Sequence, residues 1–431
     1  MKSIFLLLFT IGFLMSNSIP KHYTEELKNG LKVVVIPLKN GSGVVSTNIF
    51  YRVGSRNEIM GKSGLAHMLE HLNFKSTDNH PAGEFDQIVK RFGGVNNAST
   101  SFDITHYFIK SSVQNLDKSL ELYSDIMQNL KLTDEEFQPE RDVVLEERYW
   151  RTDNSPFGLL YFTVYNTAFD YHSYHWTPIG FTEDIKNWKI EDIREFHKIY
   201  YQPKNATVVL SGDIDEKDAF KLVEKHFSNI ENCCDIPKSH LIEPEQRGEK
   251  RRVILKESDV EYLAIGFKMP DYLSDDQVAL SVLSELLSSG KSSRLYKKLI
   301  IEKQLANSVY AYNMESIDPN LFLFMAIANS GVKAEEVEKE IWSEIENLIK
   351  NGITESELKK VQINIRSELI YSFESSSETA DIFGSYITKG SIKPLLEFEE
   401  RVKALTSDKI VEVAKKYFVK NSSTTVILRG E

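Results

Sequence analysis

The residues best suited to chemistry lie in one short run, Gly64-Leu65-Ala66-His67-Met68-Leu69-Glu70-His71-Leu72-Asn73-Phe74. Two imidazoles four residues apart sit on consecutive helical turns and can chelate one zinc ion, with the Glu70 carboxylate beside them to handle protons. Leu65, Met68, Leu69 and Leu72 form a separate apolar stripe at i, i+3, i+4, i+7. His67, Glu70, His71 and Phe74 repeat that spacing two residues on and therefore occupy roughly the opposite side. A merely solvated face would carry Lys, Glu or Arg, whereas the whole chain has ten histidines. Ser63 is read as the N-cap of this helix.

Such a site needs a third protein ligand. Downstream stands Pro139-Glu140-Arg141-Asp142-Val143-Val144-Leu145-Glu146-Glu147-Arg148, where Pro139 suits the first turn of a helix. Glu140 and Glu147 are two turns apart and share a face, with Val143 and Val144 between them, while Glu146 points about 100° away from Glu147. Taken alone this is an ordinary charged helix. Beside two histidines, Glu147 becomes a candidate third zinc ligand and Glu140 a carboxylate that orients a ligand imidazole. Three protein ligands leave zinc a fourth position for water, whose pKa falls to about 7. Glu70 can take that water's proton and return it to a leaving amine.

These residues have to be held by regular elements. The β-branched runs Leu31 to Pro37 and Val44 to Val53 read as strands, and amphipathic helices follow at about 63–75, 82–92, 113–130, 140–151 and 189–200. After the polar stretch Glu243 to Lys250 the pattern restarts. Arg252 to Lys256 and Tyr262 to Lys268 are strand-like, with helices near 275–289, 291–303, 334–350 and 354–372. The two halves also end alike, in KIYYQPKNATVVLSGD from Lys198 and KKYFVKNSSTTVILRGE from Lys415. Aligning Gly212 with Gly430 gives a repeat offset of 218 residues. The fold expected is α+β: two homologous domains, 19–235 and 251–431, joined by a linker at 236–250.

Composition narrows the function classes. The chain has 431 residues and a formal net charge of −11, and that excess of acid argues against a nucleic-acid partner. Its two cysteines, the adjacent Cys233 and Cys234, exclude a disulfide framework and a Cys-rich zinc module. At the N-terminus, Lys2 precedes the apolar run Ile4 to Met15 and the small, polar Ser16-Asn17-Ser18. This describes a signal peptide over 1–18, too short to span a membrane, so export to a periplasm or the exterior is expected.

The HxxEH order, the reverse of HExxH, is the inverzincin signature. With ERDVVLEE about 75 residues on, the chain resembles the pitrilysin and insulysin metallopeptidases, and in length the mitochondrial processing peptidase and its bacterial relatives. Gly93-Gly94-Val95-Asn96-Asn97-Ala98-Ser99-Thr100-Ser101, with Thr105 and Tyr107, resembles the family's active-site edge strand. Tyr174 with Ile179-Gly180, and Ser292-Ser293-Arg294-Leu295-Tyr296, are similar to two further family stretches. The resemblance implies one zinc per chain held by His67, His71 and Glu147 (chosen over Glu146), with Glu70 as catalytic base. It also implies a two-domain clamshell half, each domain a mostly antiparallel sheet packed with helices. Asn97 and Ala98 would pair with an extended peptide substrate by β-augmentation.

One departure stands out. Many members of the family carry an Arg and, seven residues later, a Tyr in the second domain, where they hold substrate and stabilise the oxyanion. The matching positions here are Ile300 and Asn307. The expectation that follows is a heterodimer with a paralogous chain that lacks HxxEH and supplies the Arg and Tyr. A homodimer, or a monomer using Tyr310 or Tyr312, is the alternative. A non-catalytic subunit or peptide-binding protein is the competing functional class.

Overall fold

The computed structural model describes residues 18–430, so the expected signal segment, Ser18 apart, lies outside the described residues. Among these described residues, eleven strands form two sheets. The first contains β1 (Tyr23–Glu26), β2 (Lys32–Pro37), β3 (Val44–Tyr51), β4 (Val95–Thr100), β5 (Thr105–Ser112) and β6 (Ala206–Gly212), in the order β1-β2-β6-β3-β5-β4. The second contains β7 (Lys250–Leu255), β8 (Tyr262–Lys268), β9 (Ala306–Asn313), β10 (Leu321–Ala328) and β11 (Ser423–Arg429), in the order β7-β11-β8-β10-β9. All pairings are antiparallel except β2 with β6 and its counterpart β7 with β11. The same strand order, with the one parallel pair in the same place, gives the repeat a structural basis.

Helices separate the strands. The first half contributes α1 (Leu65–Leu72), α2 (Glu84–Arg91), α3 (Leu116–Asn129), α4 (Asp134–Arg148), α5 (Pro156–Ala168), α6 (Thr182–Asn187), α7 (Ile190–Tyr200) and α8 (Glu216–Phe227). The second contributes α9 (Gln277–Ser288), α10 (Ala334–Asn351), α11 (Glu355–Ser372), α12 (Ser376–Lys389), α13 (Lys393–Ala404) and α14 (Ser407–Tyr417). Alternation along each strand sends residues to opposite faces. Val33, Val35, Ile49 and Leu210 pack in one core with Leu65, Leu69 and Ile193 of the first half's own helices. Val34, Ile36, Phe50 and Val209 point the other way, onto Ala380, Phe383 and Ile387 of α12 from the second half. The exchange is mutual, because Leu160, Val164 and Tyr165 of α5 cover Ala264, Leu323 and Val426 of the second sheet. The central strands of each sheet are buried on both faces, which explains the continuous apolar runs seen in the sequence. The close approach of α12 requires Gly384, where an added Cβ would fall 2.1 Å from the Phe50 ring.

Several sequence expectations are corrected. The helix carrying His67 starts at Leu65 after Gly64 in a left-handed conformation, φ +89°, and Ser63 does not cap it. Ser63 Oγ instead donates to Asp184 at 2.6 Å and accepts from the Phe181 N–H at 2.8 Å. Pro139 is not in a first turn; it is the sixth residue of α4, which Thr133 caps. A mid-helix proline costs about 3 kcal/mol. Here Pro139 is exposed, so water can satisfy the freed carbonyl, and three acids in the first turn favour the helix start. The segment expected as a helix at 291–303 is wound as a π-helix over Tyr296–Glu302.

Candidate metal centre

Helix α1 is anchored at its N-terminus from three sides. Glu58 lies fully buried beneath it and accepts from the Gly64 N–H at 2.8 Å and the Ala66 N–H at 2.9 Å, the donors a helix start leaves free. Trp176 Nε1 donates to the same carboxylate at 2.8 Å. Burial pushes the Glu58 carboxyl up to about 7, and those three donors pull it back toward ionisation. Trp188 Nε1 donates to the Ser63 carbonyl at 3.0 Å. Its ring passes so close to Gly64 that an added Cβ would sit 2.7 Å away. Gly180, φ +76°, packs against Ser63 with no room for a side chain, which gives the Ile179-Gly180 stretch its physical meaning. Arg148, nearly fully buried, donates to the Gly180 carbonyl and pairs with Asp153 at 3.0 Å, fixing the end of α4 against this corner.

With α1 held and α4 packed against it, four predicted residues converge. Glu147 Oε2 lies 3.3 Å from His71 Nε2 and 3.6 Å from His67 Nε2. One donor atom from each of His67, His71 and Glu147 lies within 4.8 Å of the others, and no other such group occurs among the described residues. A tetrahedral zinc with ligands at about 2.0–2.1 Å would set its donor atoms about 3.3 Å apart, so this donor set fits the ion. Glu140 Oε1 is 2.8 Å from His71 Nδ1, and its other oxygen is 2.5 Å from Lys75 Nζ. That contact turns the His71 Nε2 toward Glu147. His67 Nδ1 is buried without a partner. Glu146 is exposed and takes no part.

Electrostatics separate the four groups. Burial, then the neighbouring His71, pushes His67 down to about 4, so it is neutral at pH 7 as a ligand must be. Burial also lowers His71, but Glu140 and Glu147 outweigh it and pull the imidazole up to about 9. The His71 hydrogen bond is the largest influence holding Glu147 below the usual carboxylate range. Burial opposes ionisation of Glu140, and the bonds from His71 and Lys75 overcome it. Glu70 differs, since burial raises its pKa against a hydrogen bond from Thr100 Oγ1. Two ionised carboxylates, Glu147 facing both imidazoles and Glu140 holding His71, thus stand beside one more prone to hold a proton, the division of labour that metal-assisted hydrolysis needs.

Thr100 ends β4, the outer strand of the first sheet, so the base is tied to the strand carrying Asn97 and Ala98. Asn97 is exposed and Ala98 half-buried, and β4 is paired on one side only, with β5. After Glu147 the chain forms a π-turn over Tyr149–Asp153, and Arg151 from that turn pairs with Glu147 Oε1 at 2.9 Å. Sequence reading missed Glu58, Arg151, Trp176 and Trp188, and it placed Thr100 on the edge strand without its bond to Glu70. Only the packing of α1 against α4, β4 and the segments carrying the two tryptophans brings them together, and no spacing rule links them to the site. In the second half, Ile300 packs against the core, Asn307 is exposed on β9, and Tyr310 and Tyr312 stack with ring centroids 5.9 Å apart.

Comparison with known proteins agrees with this geometry. The insulinase (peptidase family M16) model matches residues 33–172, and the peptidase M16 inactive domain model matches residues 187–365. The zinc protease PqqE of Helicobacter pylori is 51% identical over 98% of this chain and 96% of its own. The probable mitochondrial-processing peptidase subunit beta of Arabidopsis thaliana is 26% identical over 93% of this chain and 77% of its own. A crystal structure of a protease from Helicobacter pylori, 51% identical, superposes with a TM-score of 0.94 over 95% of this chain and all of that one. The chain with this His67–His71–Glu147 cluster therefore belongs to the M16, or insulinase, family of peptidases.

Proposed function

We propose that this protein is a zinc-dependent endopeptidase that hydrolyses peptides or unfolded protein segments. The observation carrying the reading is the convergence of His67, His71 and Glu147 on one point, with Glu70 on the same helix. One zinc bound by those three residues would acidify a water and polarise a scissile carbonyl. Glu70, held by Thr100, takes the water's proton and hands it to the leaving amine. Glu140 keeps the His71 ring oriented. Asn97 and Ala98 offer the free edge of β4 to an extended peptide. Zinc affinity and activity decline as pH falls through the histidine range, because ligand nitrogens must be unprotonated. The test is the metal content of the purified chain with its peptide cleavage, with and without chelator. A zinc-free protein that does not cleave would leave a non-catalytic peptide-binding subunit as the reading, and cleavage indifferent to chelator would refute the zinc mechanism.

Two further parts belong to the same proposal. The protein is exported: residues 1–18 have a signal-like pattern, and no helix among the described residues is long and apolar enough to cross a membrane. It also works as a heterodimer, since Ile300 and Asn307 offer neither a charged fork nor a phenol. A paralogous chain would supply both. Each preorganised donor at a developing oxyanion is worth about 10²–10³ in rate. Mixing the two purified chains should therefore raise cleavage well above either alone. Full activity of this chain unaided would favour a homodimer or monomer using Tyr310 or Tyr312.

A further inference from the structure

On the face of the first sheet opposite the metal centre lies a cavity of about 510 Å³. Lys32 on β2 shares its face with Val34, the side covered by α12, and is in register with Thr207 on β6. Arg52, two residues beyond Phe50, reaches the same end of the sheet. Lys238 and Ser239 of the segment between the halves form a second wall, and Thr388 near the end of α12 a third.

The lining is strongly cationic in a chain of net charge −11. Lys32, Arg52, Arg56, Lys204 and Lys238 face one carboxylate, Asp103. Asp103 is already engaged, accepting from Tyr174 Oη at 2.5 Å and the Ile317 N–H at 2.8 Å. Arg56 is paired with Asp318 and Lys204 with Asp235. Lys32, Arg52 and Lys238 form no ion pair among the described residues. A second, independent observation concerns hydroxyls. Thr388 is 4% exposed and its Oγ1 has no hydrogen-bond partner, and the Ser239 Oγ is likewise buried and unpartnered. Buried donors without acceptors are costly, and the three unpaired cations, Lys32 half-buried and Arg52 and Lys238 exposed, stand free to meet an anion there.

We propose that this cavity is a binding site for a multivalent phosphate, a diphosphate or longer, with Lys32, Arg52 and Lys238 as counter-charges and the Thr388 and Ser239 hydroxyls as donors. Three free cations exceed what a single carboxylate calls for, and phosphate oxygens accept from ammonium, guanidinium and hydroxyl groups together. Such a ligand bridges the first sheet, the inter-domain segment and α12, so it clamps the two halves from behind the metal centre.

Calorimetric titration and the thermal unfolding midpoint of the full chain test this, with pyrophosphate and ADP as probes at constant ionic strength. ADP binding equal to pyrophosphate would identify a nucleotide tail as an accepted source of the same group. The wild type should bind and its midpoint should rise, by mass action on the folded state. The K32Q/R52Q/K238Q triple variant should bind at least about tenfold more weakly, since charge-assisted hydrogen bonds are lost. Phosphate probes can also withdraw zinc, but equally from both proteins, so the difference between them isolates the cavity. Thr388→Val should weaken binding without lowering the unliganded midpoint. No binding by the wild type, an equal midpoint rise from sodium chloride, or undiminished affinity of the triple variant would overturn the proposal. Should the triple variant fail to fold, the Thr388→Val titration decides, weaker binding supporting the site and unchanged binding refuting it.

Discussion

The two halves of the molecule use one scaffold for different ends. In the first, α1 packs against α4 and against the edge strand β4; in the second, α9 packs against α11 and the edge strand β9. At the first junction two imidazoles face Glu147, with Glu70 linked to Thr100. At the second, Asn364 Nδ2 donates to Glu285 Oε1 at 2.9 Å, and burial, then the Glu285 charge, raises the Glu368 carboxyl. Ser284 and Ser288 of α9 are spent on the backbone of Ala311 in β9, at 2.6 and 2.8 Å. The second junction is closed on itself by hydrogen bonds, whereas the first leaves donor atoms converging on a common point. Chemistry in such a repeat resides in a handful of side chains, and the fold supplies only their positions.

The largest effect should come from exchanging a carboxylate at each junction. Glu147→Gln should reduce bound zinc from about one equivalent to near none and abolish cleavage, while Glu368→Gln should leave both unchanged. Elemental analysis and a peptide assay read this, and zinc loss from the second variant would break the asymmetry. Next comes the base. Glu70→Gln should keep zinc and lower kcat by about 10²–10⁴, so retained activity with retained zinc would remove Glu70 from its role.

Glu140 touches His71 but is placed to orient rather than to bind. Glu140→Gln should cost about 10–100-fold in zinc affinity or activity, measured by competition with a chromogenic chelator. A loss as complete as that of Glu147→Gln would make Glu140 a ligand. The smallest effect concerns His106, stacked on Phe50 at 3.9 Å where the first sheet meets α12. Burial pushes this imidazole down to about 3, and Asp381, 3.4 Å from Nδ1, does not offset it. Its folded pKa lies below the unfolded value of about 6.5, so its contribution is intact above pH 6.5 and is lost as pH falls toward 3. Between pH 7 and pH 5 the wild type should therefore lose about 2 kcal/mol more stability than His106→Gln. Urea unfolding at the two pH values checks it, and identical losses would mean that the second half's helix does not keep this ring dry.

The sequence by itself determined whatever repeats within one element or one short run. The i, i+4 spacing of His67 and His71 and the two-turn spacing of Glu140 and Glu147 follow from the helical period. The strand order common to both halves was foreshadowed by the repeat at Gly212 and Gly430. Helix bounds drifted where local signals competed, as at Pro139 and Ser63. Only the tertiary structure decided that Glu58, distant by a loop, caps α1, that Trp188 and Gly180 clamp its start, and that Glu147 meets both imidazoles within 3.6 Å. It alone revealed that α5 and α12 each cover the other half's sheet, gathering Lys32, Arg52, Lys238 and Thr388 around one cavity. The physical reason is range. Backbone periodicity is encoded by neighbours within one element, whereas burial, capping across a loop and charge convergence arise only when separate segments, some of them hundreds of residues apart, are packed together.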